Sequence, residues 1–299
     1  MTSTRTVVVA GATGYIGRHI ARTLHKNGYR VRALARDIQH LRPVATACDE
    51  VFIGQAMQRL TLDGLCDGAG VVVSSLGLRT LRSRPTPQTV DLEANLNILE
   101  QARRAGVRHF IFVSVLHADE LITSVPILRP REEFVNRLKD SGMTWTVLRP
   151  TSFNDMTEVH RSAKHSWAVV LGDGDFRINP VHPVDIAGVA VRAITVTALQ
   201  NSEFGFGGPD VYRYSDIVEL AFRSLGKPPR LLHVPYWPID VAAAAIRPFN
   251  RNAAGFLTFF RQSMSRDMVG IRVGQHHLWD YYLVLAGATD PVSLSEEYR

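Results

Sequence analysis

The chain has 299 residues, of which 45% are hydrophobic, and its formal net charge is +6 at neutral pH. This length and apolar content suffice for a sizeable core of one large or two medium domains, which excludes a chain that is mainly disordered. The two cysteines cannot form a disulfide scaffold, and the absence of a long apolar run or a signal-peptide segment favours a cytoplasmic protein without membrane contact.

The first half of the chain alternates short apolar runs with helical patterns, which is typical of a parallel sheet covered by helices. The predicted strands are Thr6–Ala10, Tyr29–Ala35, Glu50–Ile53, Val71–Ser74, Phe110–Ser114 and Trp145–Leu148, and the predicted helices are Tyr15–Asn27, Gln88–Ala105 and Arg131–Ser141.

After Pro150 the sequence becomes rich in turns and aromatic residues. The predicted helices there lie near Asp185–Val196, Ser215–Leu225, Pro238–Ile246 and Ala253–Met264. We therefore expect a dinucleotide-type domain over residues 1–150 and a smaller cap, mainly from residues 151–299, with some returns of the chain to the sheet.

A glycine-rich turn closes the first predicted strand and opens the first predicted helix. Its spacing is GxxGxxG, in which Gly11 permits a tight turn, Gly14 lets the backbone approach a pyrophosphate, and Gly17 allows close packing of the helix. Free N–H groups and the helix dipole favour a phosphate here. The remaining residues of this candidate site are Ala12, Thr13, Tyr15 and Ile16. A turn without a ligand is the alternative.

The choice of cofactor depends on the end of the second predicted strand, where an acidic residue would bind a ribose hydroxyl and select NAD. Arg36 stands there instead, and Asp37 lies one position further on. A guanidinium suits a 2′-phosphate, and Arg18 at the helix start is a second candidate contact, so the sequence favours NADP(H). The alternative is that Arg36 is a solvated loop charge.

The positive charge is concentrated in the same half, because residues 1–150 have a formal charge of +7 and residues 151–299 one of −1. The arginines are scattered singly, without the pattern of a nucleic-acid-binding module. We therefore expect a phosphorylated cofactor and a small-molecule substrate, and no nucleic-acid partner. The sequence does not indicate an oligomeric state.

Four motifs follow one another in order: GATGYIG at 11–17, SSLG at 74–77, VSVLHA at 113–118 and TVLRP at 146–150. With them the chain resembles the atypical short-chain dehydrogenases/reductases, in the NmrA-like branch that includes divinyl chlorophyllide reductase-like and isoflavone reductase-like proteins. This resemblance implies a Rossmann-type doubly wound parallel sheet with helices on both faces and a C-terminal substrate-binding cap.

The resemblance also implies site residues. Ser75, Leu76 and Gly77 would pass along the cofactor, and Ser114 would end a strand beside the nicotinamide. A further segment would close over the nicotinamide, and its residues are Pro150, Thr151, Ser152 and Phe153.

The chain departs from the family at the two catalytic positions, where redox-active relatives carry a Tyr and, four residues later, a Lys. These positions hold Ile127 and Arg131. Ile127 cannot transfer a proton, and Arg131 could hold a ribose or an anionic intermediate but is too basic to be an ordinary acid. The resemblance therefore does not support an ordinary carbonyl reductase mechanism.

His117 is the candidate replacement for the proton donor, because it follows a strand's carboxyl end and imidazole titrates near neutrality. A loop histidine without a role is the alternative. Asp119 and Glu120 would either orient His117 or be solvated acids.

The other histidines give no sign of a metal site. His160 and His165 do not form an HxxxH pair, and His276 and His277 have no acidic partner at a useful spacing. Asp185 is interpreted as a helix N-cap.

Three functions remain open from the sequence. The first is an NADPH-dependent reductase of a small or medium apolar organic substrate, in specialised metabolism, with Ser114, His117 and Arg131 as catalytic candidates. The second is a non-redox isomerase, cyclase or dehydratase on the same fold. The third is an NADP-sensing regulator without turnover.

Overall fold

The computed structural model describes residues 5–78, 81–151, 154–165 and 167–287. In its first half the elements are β1 (Thr6–Ala10), α1 (Tyr15–Lys26), β2 (Arg30–Ala35), β3 (Glu50–Ile53), β4 (Ala69–Ser74), α2 (Ala94–Arg104), β5 (His109–Val113), α3 (Ala118–Leu121), α4 (Arg129–Lys139) and β6 (Thr144–Pro150).

The second half contains α5 (Asn154–Lys164), β7 (Ala168–Leu171), β8 (Arg177–Ile178), α6 (Pro183–Thr195), β9 (Ser202–Gly207), β10 (Tyr212–Arg213), α7 (Tyr214–Ser224), β11 (Leu231–Val234), α8 (Trp237–Ile246), α9 (Arg251–Ser263), β12 (Ile271–Arg272) and α10 (Leu278–Ala286).

Eight strands form the central sheet, in the order β12-β9-β6-β5-β4-β1-β2-β3. The pairs from β3 through β2, β1, β4 and β5 to β6 are all parallel, as is the pair β9–β12. The order 3-2-1-4-5-6 of the first six strands is that of dinucleotide-binding domains. The predicted Rossmann-type doubly wound fold class is thus confirmed.

The chain is divided into two compact units. The first comprises the described residues up to Ser114, together with Ala118–Arg149 and Ile186–Phe204. The second comprises Val115–His117, the described part of Pro150–Asp185 and the described residues from Gly205 onward.

Each unit has its own hydrophobic core. In the first unit Phe112 and Phe134 are fully buried and meet edge to face, with ring centroids 4.7 Å apart. In the second, Phe222 and Tyr282 are fully buried, and Phe176 stacks on Tyr214 at 5.0 Å. Within the described ranges, no helix is both long and apolar enough to cross a membrane.

The predicted elements of the first half agree with the observed ones to within two residues at each end, apart from one helix. The segment expected as a single helix from Gln88 begins with a π-helical turn, Gln88–Glu93, and only then becomes α2. In the second half, α5, α10 and six strands were not predicted, and three of those strands have only two residues. Such short strands have too few residues for an alternating pattern.

Candidate dinucleotide-binding and catalytic site

The glycine turn after β1 has the close packing that the sequence predicts. Gly11 has a φ of +87°, and its carbonyl oxygen accepts a hydrogen bond of 2.8 Å from the Gly14 N–H. A Cβ on Gly17 would overlap that carbonyl group, so only glycine fits where α1 crosses the turn. Among the described residues, no side chain caps the N-terminus of α1, and its first turn holds no acidic residue, which leaves its positive end available to an anion.

Arg18 offers a cation beside this turn. Its guanidinium lies over the Tyr15 ring, 5.2 Å from the centroid. Its Nε is buried and has no hydrogen-bond partner among the described residues. A buried donor without a partner costs free energy unless a ligand satisfies it, so this side chain fits a phosphate-bearing cofactor.

Arg36 is exposed directly after β2. The neighbouring Asp37 carboxylate accepts a 2.9 Å hydrogen bond from the Gln39 N–H and thereby caps a short 3₁₀ helix, Ile38–Ala47. Because that carboxylate is engaged locally, Arg36 remains the charge at the strand end that suits a phosphate.

The loop after β4 carries Ser75, Leu76 and Gly77. The Ser75 N–H donates to the Ala10 carbonyl oxygen at 3.0 Å, which ties the loop to the end of β1. Further along, the Leu78 N–H donates to the Asp91 carboxylate at 3.1 Å. The loop is therefore anchored on both sides.

Arg131 is buried against this loop. Its guanidinium forms an ion pair with Asp91, donates to the Val113 carbonyl oxygen at 3.1 Å and lies 5.5 Å from the centroid of the Phe112 ring. It packs so close to Gly77 that a Cβ there would overlap it. Arg131 thus keeps the positive charge of the expected Lys, but that charge is paired with Asp91. Its role toward a ribose stays a prediction.

Ser114 follows β5 and is buried. Its Oγ donates to the Glu132 carboxylate at 3.3 Å. Glu132 in turn accepts two hydrogen bonds from the Arg149 guanidinium, at 2.8 and 2.6 Å. Sequence reasoning missed Glu132, Arg149 and Asp91, although Arg149 belongs to the TVLRP motif.

Arg149 has a second carboxylate partner, Glu203, at 2.8 Å. Burial acts to lower the pKa of Arg149, but the hydrogen bonds and negative charge of Glu132 outweigh it and raise the pKa above its ordinary value. Burial likewise acts to raise the pKa of Glu203, whereas hydrogen bonds from Lys139 and Arg149 hold it below its ordinary value. Arg149 and Glu203 are therefore both charged at neutral pH.

In the second unit, His117 is half-buried and has a φ of 55°. A positive φ is uncommon for residues other than glycine, although histidine, asparagine and aspartate adopt it several-fold more often than the others. Asp119 lies in the first unit, 3.9 Å from Arg149, and Glu120 is exposed. The catalytic role of His117 and its orientation by these acids stay predictions.

The segment expected to close over the nicotinamide begins with Pro150 and Thr151, which are held by hydrogen bonds. Thr151 donates through Oγ1 to the Asn179 carbonyl oxygen at 2.6 Å, and the Pro150 carbonyl accepts from the Leu116 N–H at 3.1 Å. Ser152 and Phe153 lie outside the described residues.

The N-cap interpretation of Asp185 is wrong. Helix α6 begins at Pro183, so Asp185 lies in its first turn. Its carboxylate accepts backbone N–H groups of Gln275 and His276 at 3.3 and 3.2 Å, and pairs with the His276 ring at 2.8 Å. The residue joins two distant segments, which a helix pattern cannot reveal.

His276 and His277 have no acidic partner at a useful spacing in the sequence, but the fold brings a distant acidic residue to each of them. His276 pairs with Asp185, and His277 pairs with Asp210 at 2.6 Å, a contact that raises the pKa of His277 above its ordinary value. Among the described residues, however, no group of three or more histidine, cysteine or acidic side chains could hold a metal ion.

A family model described as NAD(P)H-binding matches residues 11–196, which is more than half of the chain. The chain belongs to this NAD(P)H-binding family. The family model and the curated relatives agree with the predicted atypical short-chain dehydrogenase/reductase of the NmrA-like branch. These matches confirm the predicted family, the predicted NAD(P)H cofactor and the prediction of an NAD(P)H-dependent oxidoreductase. They do not identify the substrate.

Two curated relatives show the degree of similarity. The (4-alkanoyl-5-oxo-2,5-dihydrofuran-3-yl)methyl phosphate reductase of Streptomyces griseus subsp. griseus is 31% identical over 267 residues, which covers 89% of this chain and 88% of the relative. The divinyl chlorophyllide a 8-vinyl-reductase of Oryza sativa subsp. indica is 29% identical over 295 residues, with 89% and 72% covered.

Among solved structures, an NADPH-dependent quinone oxidoreductase from Escherichia coli, complexed with NADPH, has a similar fold. The TM-score is 0.72 at 19% identity, and the match covers 93% of this chain and 99% of the other. At this identity the likeness concerns the fold alone.

Proposed function

We propose that this NAD(P)H-dependent reductase uses NADPH and reduces an activated carbon–carbon double bond in a small or medium apolar organic molecule. The observation that carries the proposal is the state of the two catalytic positions. Ile127 lies half-buried in a short turn, Pro126–Leu128, and Arg131 is held by Asp91. Neither side chain can protonate a carbonyl oxygen as hydride arrives.

NADPH is preferred over NADH in this proposal because the charges around the glycine turn suit a 2′-phosphate. Arg36 follows β2 and is exposed, the carboxylate of Asp37 is engaged with Gln39, and Arg18 has a buried Nε without a partner among the described residues. These two guanidiniums would hold the phosphate, and the N-terminus of α1 would hold the pyrophosphate.

When bound, NADPH supplies a hydride. An activated double bond can take hydride at one carbon and a proton at the other in a separate step, so the proton need not come from a residue at the Tyr position. His117 supplies that proton, since an imidazole can release one near neutral pH. The rice relative is named a vinyl-reductase, which fits this substrate class. We place the reaction in specialised metabolism.

Fluorescence titration with NADPH and NADH tests the cofactor. Arg36→Ala should weaken NADPH binding roughly 10- to 100-fold and leave NADH binding unchanged, because one charge-assisted contact to phosphate is lost. Arg30→Ala is the matched control, since Arg30 begins the same strand and pairs with Glu50 at 2.7 Å. Equal effects of Arg36→Ala on both cofactors would contradict the proposal.

Product analysis with 2-cyclohexen-1-one tests the reaction type. Loss of NADPH absorbance with formation of cyclohexanone is the expected result, whereas formation of the allylic alcohol would show a carbonyl reductase. Conversion of a substrate without NADPH loss would favour the non-redox alternative. Cofactor binding with no turnover across a panel of enones and quinones would favour the regulatory one.

The role of His117 is best tested with Asn, because Asn tolerates the left-handed backbone that His117 adopts. His117→Asn removes the imidazole and should lower kcat roughly 100-fold or more while NADPH affinity is retained. Full turnover in this variant would mean that water supplies the proton.

A further inference from the structure

The buried Ser114 hydroxyl has its proton committed to one partner. A serine has a single O–H donor and two acceptor lone pairs. The Ser114 Oγ donates to Glu132 Oε1, with both residues less than a tenth exposed. What remains on Ser114 for any other group is its lone pairs.

Glu132 is also the acceptor of two hydrogen bonds from Arg149. The two ends of the guanidinium donate to the two carboxylate oxygens in a fork, at 2.8 and 2.6 Å. A carboxylate in such a pair is an acceptor only. The direction of the Ser114–Glu132 hydrogen bond is thus fixed by the ion pair behind it.

Ser114 also lies on the side of the sheet to which a dinucleotide would extend. The glycine turn follows β1, and Arg36, the proposed phosphate contact of the adenosine half, follows β2 on one side. The nicotinamide half of a bound cofactor would therefore be expected on the other side, at the ends of β4 and β5. Ser114 is the residue directly after β5.

We propose that Glu132 is a positioning residue that makes Ser114 a hydrogen-bond acceptor for the carboxamide N–H₂ of the nicotinamide. The carboxamide is the hydrogen-bonding group of the nicotinamide ring, and its N–H₂ is its donor. With its own proton on Glu132, Ser114 rejects a carbonyl oxygen at this place and accepts an N–H. The inference rests on the cofactor site of the proposed function.

Calorimetric binding of two oxidised cofactors tests the inference without turnover. The first is NADP⁺ and the second is its 3-acetylpyridine analogue, in which a methyl ketone of similar size replaces the carboxamide. The wild-type protein should bind NADP⁺ about tenfold more tightly, because the analogue loses the donor and places an oxygen or a methyl group against lone pairs.

Two variants should remove this preference. In Ser114→Ala the affinity ratio should fall to about one, since no acceptor is left. Glu132→Gln replaces the carboxylate by an amide that can donate as well as accept, so the Ser114 proton is released and the ratio should fall part of the way. Glu133→Gln is the matched control, because Glu133 is half exposed and pairs with Arg137 on the surface, and its ratio should equal that of the wild type.

The outcomes separate the inference from the proposed function. A wild-type protein that binds neither cofactor contradicts the proposed function, whereas equal affinity for both contradicts only the inference. A ratio that survives Ser114→Ala overturns the role of Ser114. A ratio lost in Ser114→Ala but unchanged in Glu132→Gln overturns the role of Glu132. Should Glu132→Gln fail to fold, Ser114→Ala still decides whether Ser114 is the acceptor.

Discussion

The arginines on the two sides of the glycine turn are in opposite situations. On the β2 side, Arg18 and Arg36 form no ion pair within the described part of the chain. On the β4–β5 side, Arg131 and Arg149 are buried and paired with Asp91, and with Glu132 and Glu203.

Arginine therefore has two different roles in this protein, one as a candidate contact for a ligand and one as a buried partner of carboxylates. An exposed guanidinium without a carboxylate partner, such as that of Arg36, costs little in the free protein and keeps its charge available to a ligand phosphate. A buried one is tolerated only because carboxylates compensate its desolvation, so it acts on a ligand through its neighbours. Arg131 thus shapes the loop at Gly77, and Arg149 acts through Glu132 on Ser114.

The largest expected effect is the loss of stability on breaking the buried ion pairs of Arg149 with Glu132 and Glu203. Arg149→Leu leaves Glu132 without its guanidinium in a buried position, and the free energy of unfolding should fall by about 3–5 kcal/mol. Urea unfolding measures this. Arg36→Leu on the other side should change it by less than about 0.5 kcal/mol. Similar losses in both variants would contradict the comparison.

A smaller effect is expected where the two sides meet, at Gly17. Gly17→Ala forces α1 away from the Gly11 carbonyl group, which should cost about 1–3 kcal/mol of stability and weaken NADPH binding. Gly188→Ala is the matched control, because Gly188 also lies in a helix but a Cβ there meets no atom within 4 Å. This control should be neutral or stabilising. Unchanged NADPH affinity in Gly17→Ala would show that the turn is not the cofactor site.

The sequence predicts features that depend on neighbouring residues, whereas it does not predict contacts between residues that lie far apart along the chain. Strand β1, TVVVA, is buried on both faces and reads as a continuous apolar run, and the glycines that follow it define the turn. Arg36 was identified because it directly follows a strand. These signals are local, so they are visible in one sequence.

The buried partners could not be found in this way. Asp91 and Arg131 lie 40 positions apart, and Asp185 and His276 lie 91 apart. Nothing in the spacing of two charged residues at such distances indicates that they meet. The sequence therefore points to candidate ligand contacts such as Arg36, but it does not reveal the charges that the fold pairs internally.

A third effect concerns a buried group that has no carboxylate partner. His109 begins β5, and its Nε2 lies 2.9 Å from the Thr146 hydroxyl. Burial, with a smaller contribution from the charge of Arg5, lowers the pKa of His109 from 6.5 to about 4. Unlike Arg131 and Arg149, the His109 side chain is therefore uncharged in the folded protein at neutral pH.

The consequence is a loss of stability in acid. Between pH 6.5 and about 4 the unfolded chain binds a proton that the folded His109 does not, so stability falls as the pH falls, by at most about 1.4 kcal/mol per pH unit. His109→Gln should flatten the pH dependence of the unfolding free energy in this window. His25→Gln, at an exposed site, should not. Identical pH profiles for wild type and His109→Gln would show that burial does not keep this imidazole neutral.

The smallest effect is expected from restoring the family's residue at Arg131. A Lys in Arg131→Lys can keep the charge opposite Asp91, but a single ammonium cannot also reach the Val113 carbonyl and cover the Phe112 ring, so stability should fall by about 1 kcal/mol. Carbonyl reduction should not appear, because Ile127 still provides no proton. Thermal unfolding together with product analysis on 2-cyclohexen-1-one checks both statements. Formation of the allylic alcohol by this single variant would mean that Arg131, and not the missing Tyr, is what prevents carbonyl chemistry, and that its pairing with Asp91 is more than structural.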